Sequence, residues 1–126
     1  MIVRYKEDLE GGPNHRKVAT GSSLRFLTRA DGVGFTMTDT TIEAGGEAVL
    51  HYKNHIEGNY ILEGEGTLED LSTGKTYAAR PDTMYCLDQH DRHKLAAKTR
   101  MRIICVFTPA LVGSEIHDKD GSYPIL

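Results

Sequence analysis

Four of the six histidines fall between positions 51 and 93, in a window that also holds Glu57, Tyr85 and Cys86. His51, His55, Glu57, Tyr85, Cys86, His90 and His93 are therefore the candidates to hold a metal ion. Imidazole with carboxylate and phenolate oxygen is a hard-to-borderline donor set that suits Fe(II), Mn(II) or Zn(II), and three protein ligands would leave positions open for a substrate. The candidates do not weigh alike. His90, within Gln89-His90-Asp91-Arg92-His93, stands beside a turn, where a histidine is more often solvated than ligating. Glu57 precedes a strand expected to enter the core, and a carboxylate buried there needs a cation or several donors to offset its desolvation. His93 opens a strand predicted to run beside that one, so the two can converge. His51 and His55 could join them or could only orient loops.

The elements that must position these residues read as strands. Candidates are Met1 to Tyr5, Ser23 to Thr28, Val33 to Ile42, Ala48 to Tyr52, Asn59 to Leu62, Gly66 to Leu71, Lys75 to Ala79, Thr83 to Leu87, His93 to Ala97 and Arg102 to Phe107. Asp31-Gly32, Ala44-Gly45-Gly46, Gly64-Glu65-Gly66, Ser72-Thr73-Gly74-Lys75 and Asp88-Gln89-His90-Asp91 supply turn chemistry between them, at the spacing of a sandwich or barrel. No segment carries the 3.6-residue apolar period of an amphipathic helix. The fold expected is all-β, one barrel over residues 1–126, ending in a loop segment from 108 to 126 with at most a short helical turn.

Parity within Val33 to Ile42 puts Phe35 and Met37 on one face and Thr36, Thr38 and Thr40 on the other. Pattern alone favours the threonines in water; the alternative is that they line a polar cavity inside a small barrel. In Arg102 to Phe107 neither face is polar, so that strand is expected to be covered on both sides.

Charge and composition exclude several functions. The net charge of −3 comes with scattered Lys and Arg, which lacks the footprint of a nucleic-acid binder and favours a small neutral or zwitterionic ligand. No run approaches the length of a membrane span, and the N-terminal Met1-Ile-Val-Arg-Tyr lacks an apolar signal stretch. The two cysteines, Cys86 and Cys105, lack a CxxC spacing and read as reduced thiols. A cytoplasmic protein is expected.

The spacing Gly45-(five)-His51-Tyr52-Lys53-(three)-Glu57-(six)-Gly64 resembles the first motif of the cupin superfamily, with Lys53 in place of the usual second histidine. Pro81-Asp82-Thr83-Met84-Tyr85-Cys86 resembles the second, with Thr83 for its glycine and Cys86 where its histidine is expected. Along nearly the whole chain the sequence resembles the ectoine synthase family within the cupins. The carrying stretches are "MIVR", "DGVGFT" at 31 to 36, "HYKNHIEGNYILEGEGTLEDL" from 51, "TMYCLDQHDRH" at 83 to 93 and "CVFTPALVGSEIHDKDGSYP" at 105 to 124, the last being the most diagnostic.

That resemblance implies a jelly-roll-like cupin barrel, cytoplasmic and homodimeric. It implies an iron-dependent cyclase that closes N-γ-acetyl-L-2,4-diaminobutyrate to ectoine with loss of water, Zn(II) or Mn(II) being the other candidate ions. It implies Glu57, Tyr85 and His93 as metal ligands. Arg25, Thr40, Cys105 and Phe107 would bind substrate, Arg25 by a bidentate pair with its carboxylate; Tyr52, Glu115 and His117 would be catalytic, Tyr52 helping to hold the substrate folded and Glu115 and His117 moving protons. Three positions depart from the family pattern: Gly21 stands where tryptophan is usual, which would remove a pocket wall; Thr38 replaces an amide or imidazole; and "IEGNY" replaces a more apolar run, so that Thr38 and Asn59 could reshape the pocket's polarity. A related metal cupin that hydrolyses an amide, or a metal-free binding cupin, are the alternatives.

Overall fold

The computed structural model describes residues 1–126. One helical turn, α1 (Lys6–Leu9), precedes the strands β1 (His15–Val18), β2 (Gly21–Arg25), β3 (Thr36–Ile42), β4 (Glu47–Leu50) and β5 (Ile56–Glu63). β6 (Gly66–Asp70), β7 (Thr76–Ala79), β8 (Met84–Leu87), β9 (His93–Ala97) and β10 (Met101–Thr108) follow. They form two antiparallel sheets, one in the order β1-β2-β3-β10-β5-β8 and one in the order β4-β9-β6-β7. This is the all-β, jelly-roll-like architecture expected, with apolar side chains of both inner faces meeting around Ile61, Met101, Ile103, Leu95 and Leu68.

Alternation in β10 decides what faces inward. Ile103, Cys105 and Phe107 are at most 5% exposed, whereas Arg102, Ile104 and Val106 are half-buried, so the outer face is only partly covered. β3 pairs with β10 so that Thr38 lies opposite Cys105 and Thr36 opposite Phe107. Thr36 and Thr38 are fully buried and Thr40 half-buried, so the threonine face is interior and not solvated. The opposite face of β3 carries Asp39, which accepts from Arg102 through both carboxylate oxygens and lies 3.1 Å from Lys6 Nζ.

Several boundaries differ from expectation. Met1 to Tyr5 forms no strand: it has no neighbour to pair with, and Arg4 donates instead to Asp31 and to the Phe26 carbonyl. β1 was not visible in the sequence because "HRKV" is polar and unpatterned; it exists as an edge strand paired only with β2. Residues 109–126 contain no helix and no strand, yet Leu111, Ser122 and Tyr123 are buried. They make a strap that crosses the end of the sandwich. Gly121, at φ +72°, lets it touch β4, since a Cβ there would collide with the Val49 carbonyl. β9 does not run beside β5; it pairs with β4 and β6, so His93 stands in the other sheet from Glu57.

Candidate active site

A single transverse row of the larger sheet organises the site. Across β2, β3, β10, β5 and β8, the residues in register are Arg25, Thr38, Cys105, Asn59 and Tyr85. One step along, Glu57 lies opposite Phe107. Of these, Cys105, Asn59, Tyr85, Glu57 and Phe107 line a cavity of about 80 Å³, with Arg25 and Thr38 behind its wall. Thr40, Tyr52, Glu57, Tyr85, Cys105, Phe107 and His117 all line it, so the structure brings seven of the ten sequence-predicted residues to one space.

Burial sets the protonation of the cavity lining. Glu57 is 5% exposed, and desolvation pushes its carboxyl up to about 7, against the opposing effect of a 3.0 Å hydrogen bond from Asn59 Nδ2. Burial, reinforced by the charge of Glu57, holds Tyr52, Tyr85 and Cys105 well above their ordinary values. The cavity is thus lined by acidic groups that resist ionising together and would be relieved by a cation.

His93 supplies the complementary nitrogen. It is 1% exposed, its Nδ1 lies 2.9 Å from the Asp91 carbonyl, and its Nε2 is sealed from solvent without a partner. A carbonyl acceptor fixes the proton on Nδ1 and leaves a lone pair on Nε2, the arrangement seen in metal-ligating histidines. His93 lines not the central cavity but an adjoining one of about 340 Å³, and Tyr85 lines both. No three His, Cys, Asp or Glu side chains cluster as a ligand group, so a site on Glu57 and His93 needs the Tyr85 oxygen. The donor set fits a divalent metal ion.

The roof is aromatic. The Tyr52 hydroxyl lies 2.8 Å from His117 Nε2, and His117 stacks on Tyr123 with centroids 4.4 Å apart and planes 10° apart. Burial, with Arg25 nearby, lowers His117 to about 4, so its ring is neutral at pH 7. Tyr123 is a cavity residue that the motif reading did not single out, although it sits in "GSYP" of the most diagnostic stretch. His90, read as a solvated loop residue, bonds the Tyr52 carbonyl through Nδ1 at 2.8 Å.

Arg25 and Glu115 take other partners than those expected. Arg25 is fully buried; Nε donates to Ser23 Oγ, Nη1 to the Gly113 carbonyl, and Nη2 to the Glu115 carbonyl and the Tyr123 hydroxyl. It holds the strap from behind the wall and has little left for a bidentate carboxylate pair. The Glu115 carboxylate accepts from the N–H groups of Val112 and Gly113, which removes it from the cavity. His55 lies outside the cavity too, with a buried Nδ1 that has no partner. His51 is half-buried and donates its backbone N–H to the Gly121 carbonyl. The exposed Cys86 lines only the adjoining cavity.

Gly21 opens no gap. A Cβ there would collide with the Thr41 carbonyl, and the turn Val18-Ala19-Thr20 lines the cavity instead.

A sequence profile described as ectoine synthase matches residues 1–126. The L-ectoine synthase of Oceanobacillus iheyensis is 52% identical over 126 residues, spanning 100% of this chain and 98% of that protein. A crystal structure of ectoine synthase from P. lautus superposes with a TM-score of 0.90 at 44% identity, covering 100% of this chain and 91% of the other. An RmlC-like cupin from Shewanella frigidimarina matches with a TM-score of 0.69 at 18% identity over 87% of this chain and 92% of that one, a likeness of fold alone.

Proposed function

Because the chain belongs to the ectoine synthase family, we propose that its central cavity closes N-γ-acetyl-L-2,4-diaminobutyrate to ectoine, and that Glu57, Tyr85 and His93 hold the divalent ion, Fe(II) ahead of Zn(II) or Mn(II), that assists it. The enzyme is a water-eliminating lyase acting on a small molecule. The observation that carries the ligand reading is the sealed, unpartnered Nε2 of His93, in a residue that lines the cavity next to the one holding the buried Glu57, with Tyr85 lining both.

The substrate's α-amine must reach its own acetamide carbonyl carbon and close a six-membered ring. Phe107, Ile103 and Tyr123 give the cavity apolar walls on which a flexible chain can be held folded, the entropic part of the barrier. When bound, the metal supplies Lewis-acid stabilisation of charge on the carbonyl oxygen, worth several kcal/mol. Two N–H protons must leave with that oxygen as water. Tyr52, kept protonated by burial, is a donor to the departing hydroxyl, and the neutral His117 beside it can take up a proton from the attacking nitrogen. Arg25, whose partners include no carboxylate, places a buried positive charge behind the wall and favours the substrate's carboxylate on that side.

We place the enzyme in the cytoplasm, as a homodimer that makes a protective solute under osmotic stress. Two free thiols suit a reducing compartment, and no helix is long and apolar enough to cross a membrane. The open edge of β8, with Met84 exposed, and the unpaired, apolar Met1–Tyr5 segment give a second copy surfaces to cover.

The test is incubation of Fe(II)-loaded and metal-stripped protein with the acetylated diaminobutyrate, with product read by NMR. Ectoine from the loaded protein and none from the stripped one is the expected result. Equal rates in both would overturn the metal reading, and acetate release without ring closure would identify an amide hydrolase instead.

A further inference from the structure

Asn59 stands where the strand pattern calls for an apolar side chain. In β5 the inward positions are Glu57, Asn59 and Ile61, and Asn59 is 3% exposed among Phe107, Cys105 and Ile61. A buried amide is costly unless it is hydrogen-bonded, so its presence asks what it is bonded to. Its side-chain partner is Glu57: Nδ2 donates to Oε1 at 3.0 Å. In register it lies between Cys105 on one side and Tyr85 on the other. One residue thus touches the carboxylate that we assign as a metal ligand and sits directly opposite the phenol that we assign as another.

We propose that Asn59 is a positioning residue for the metal site, holding Oε1 of Glu57 so that Oε2 is presented to the ion. The inference rests on the reading of Glu57, Tyr85 and His93 as ligands. An amide suits this task better than the alternatives. It fixes the carboxylate without bringing a positive charge that would repel the cation, as Lys or Arg would. An aspartate would set a second negative charge beside Glu57, and an aliphatic residue would leave the carboxylate free to rotate about its last torsion, which is broad when unrestrained. Partners of this kind orient ligands and tune their affinity for the metal.

The experiment is anaerobic titration with Co(II), whose visible absorption reports ligand geometry, on the parent, Asn59→Leu, Asn59→Gln and Glu57→Gln proteins. Asn59→Leu keeps size and removes the donor, and is expected to bind Co(II) about 10- to 100-fold more weakly with an altered absorption band. Asn59→Gln, which keeps an amide, is expected to recover part of that loss. With Fe(II) saturating, Asn59→Leu should lower kcat more than it raises KM. Asn59→Val makes the same prediction should the leucine variant fail to fold. Co(II) affinity and spectrum in Asn59→Leu matching the parent, while Glu57→Gln abolishes binding, would overturn the inference alone. Undiminished Co(II) binding by Glu57→Gln would instead overturn the ligand reading on which it rests.

Discussion

The hydroxyl of Tyr52 lies 2.8 Å from Nε2 of His117, joining the segment after β4 to the C-terminal strap across 65 residues of chain. The contact is made in a buried setting that raises the phenol and lowers the imidazole, so both members are neutral at pH 7. A proton passed from the phenol to the imidazole would leave opposite charges in that buried setting, so Tyr52 gives up its proton only as His117 or the substrate supplies another.

Tyr52→Phe removes the hydroxyl and keeps the ring that packs edge-on against Phe107 at 5.2 Å. The variant should fold, lose about 1 kcal/mol of stability with the hydrogen bond, and lose about 10²- to 10⁴-fold in kcat. Initial rates of ectoine formation with metal bound measure it. A kcat within threefold of the parent would remove Tyr52 from proton transfer.

Arg25 gives a different expectation from that of a substrate clamp. Arg25→Met retains bulk but deprives the Gly113 and Glu115 carbonyls of their donor. At about 1–3 kcal/mol for each buried acceptor left unpaired, the loss should be about 3 kcal/mol. Urea unfolding measures the loss, and limited proteolysis between residues 113 and 122 should become faster. A strap as protected as the parent's, with only KM raised, would show that direct substrate contact is the main role.

Alternation is local, so parity put Cys105 and Phe107 on one face of their strand, but with both faces apolar it did not say which of them turns inward. Which sheet a strand joins is not local. His93 was expected beside β5, and only the long-range pairing of β9 with β4 and β6 places it in the other sheet. The threonine face misleads for the same reason, since hydroxyls read as solvated until a facing sheet encloses them. The strap has no period at all. Its order comes from Arg25 and Glu115, whose partners are mostly backbone groups with no signature in sequence.

Gly21 tests how much of a departure from the family pattern is local geometry. With the Thr41 carbonyl in the way of any Cβ, Gly21→Ala should destabilise by about 1–3 kcal/mol, as overpacking does. Gly21→Trp should fall at or beyond that range and should not raise activity. Thermal unfolding with parallel rate measurements checks both; a tryptophan variant as stable as the parent and faster would show that the turn at Val18-Ala19-Thr20 yields to the larger wall.

His117 makes the stability of the fold depend on pH in a known direction. Burial first, and the charge of Arg25 second, lower its imidazole from 6.5 to about 4. Between those values the unfolded chain binds a proton that the folded one refuses, so stability rises with pH over that interval. The contribution is fully present above about pH 6.5 and is lost as the pH falls toward 4, amounting to about 3 kcal/mol. Glu57 acts in the opposite sense, because its raised carboxyl makes the metal-free fold hold a proton longer than the unfolded chain does. The two are separated by comparing the parent with His117→Phe, which keeps the stack on Tyr123 and leaves Glu57 in place. Urea unfolding of metal-free protein at several pH values from 7.5 to 4.5 should show the parent losing stability relative to the variant as the pH falls, and parallel curves would sink the assignment.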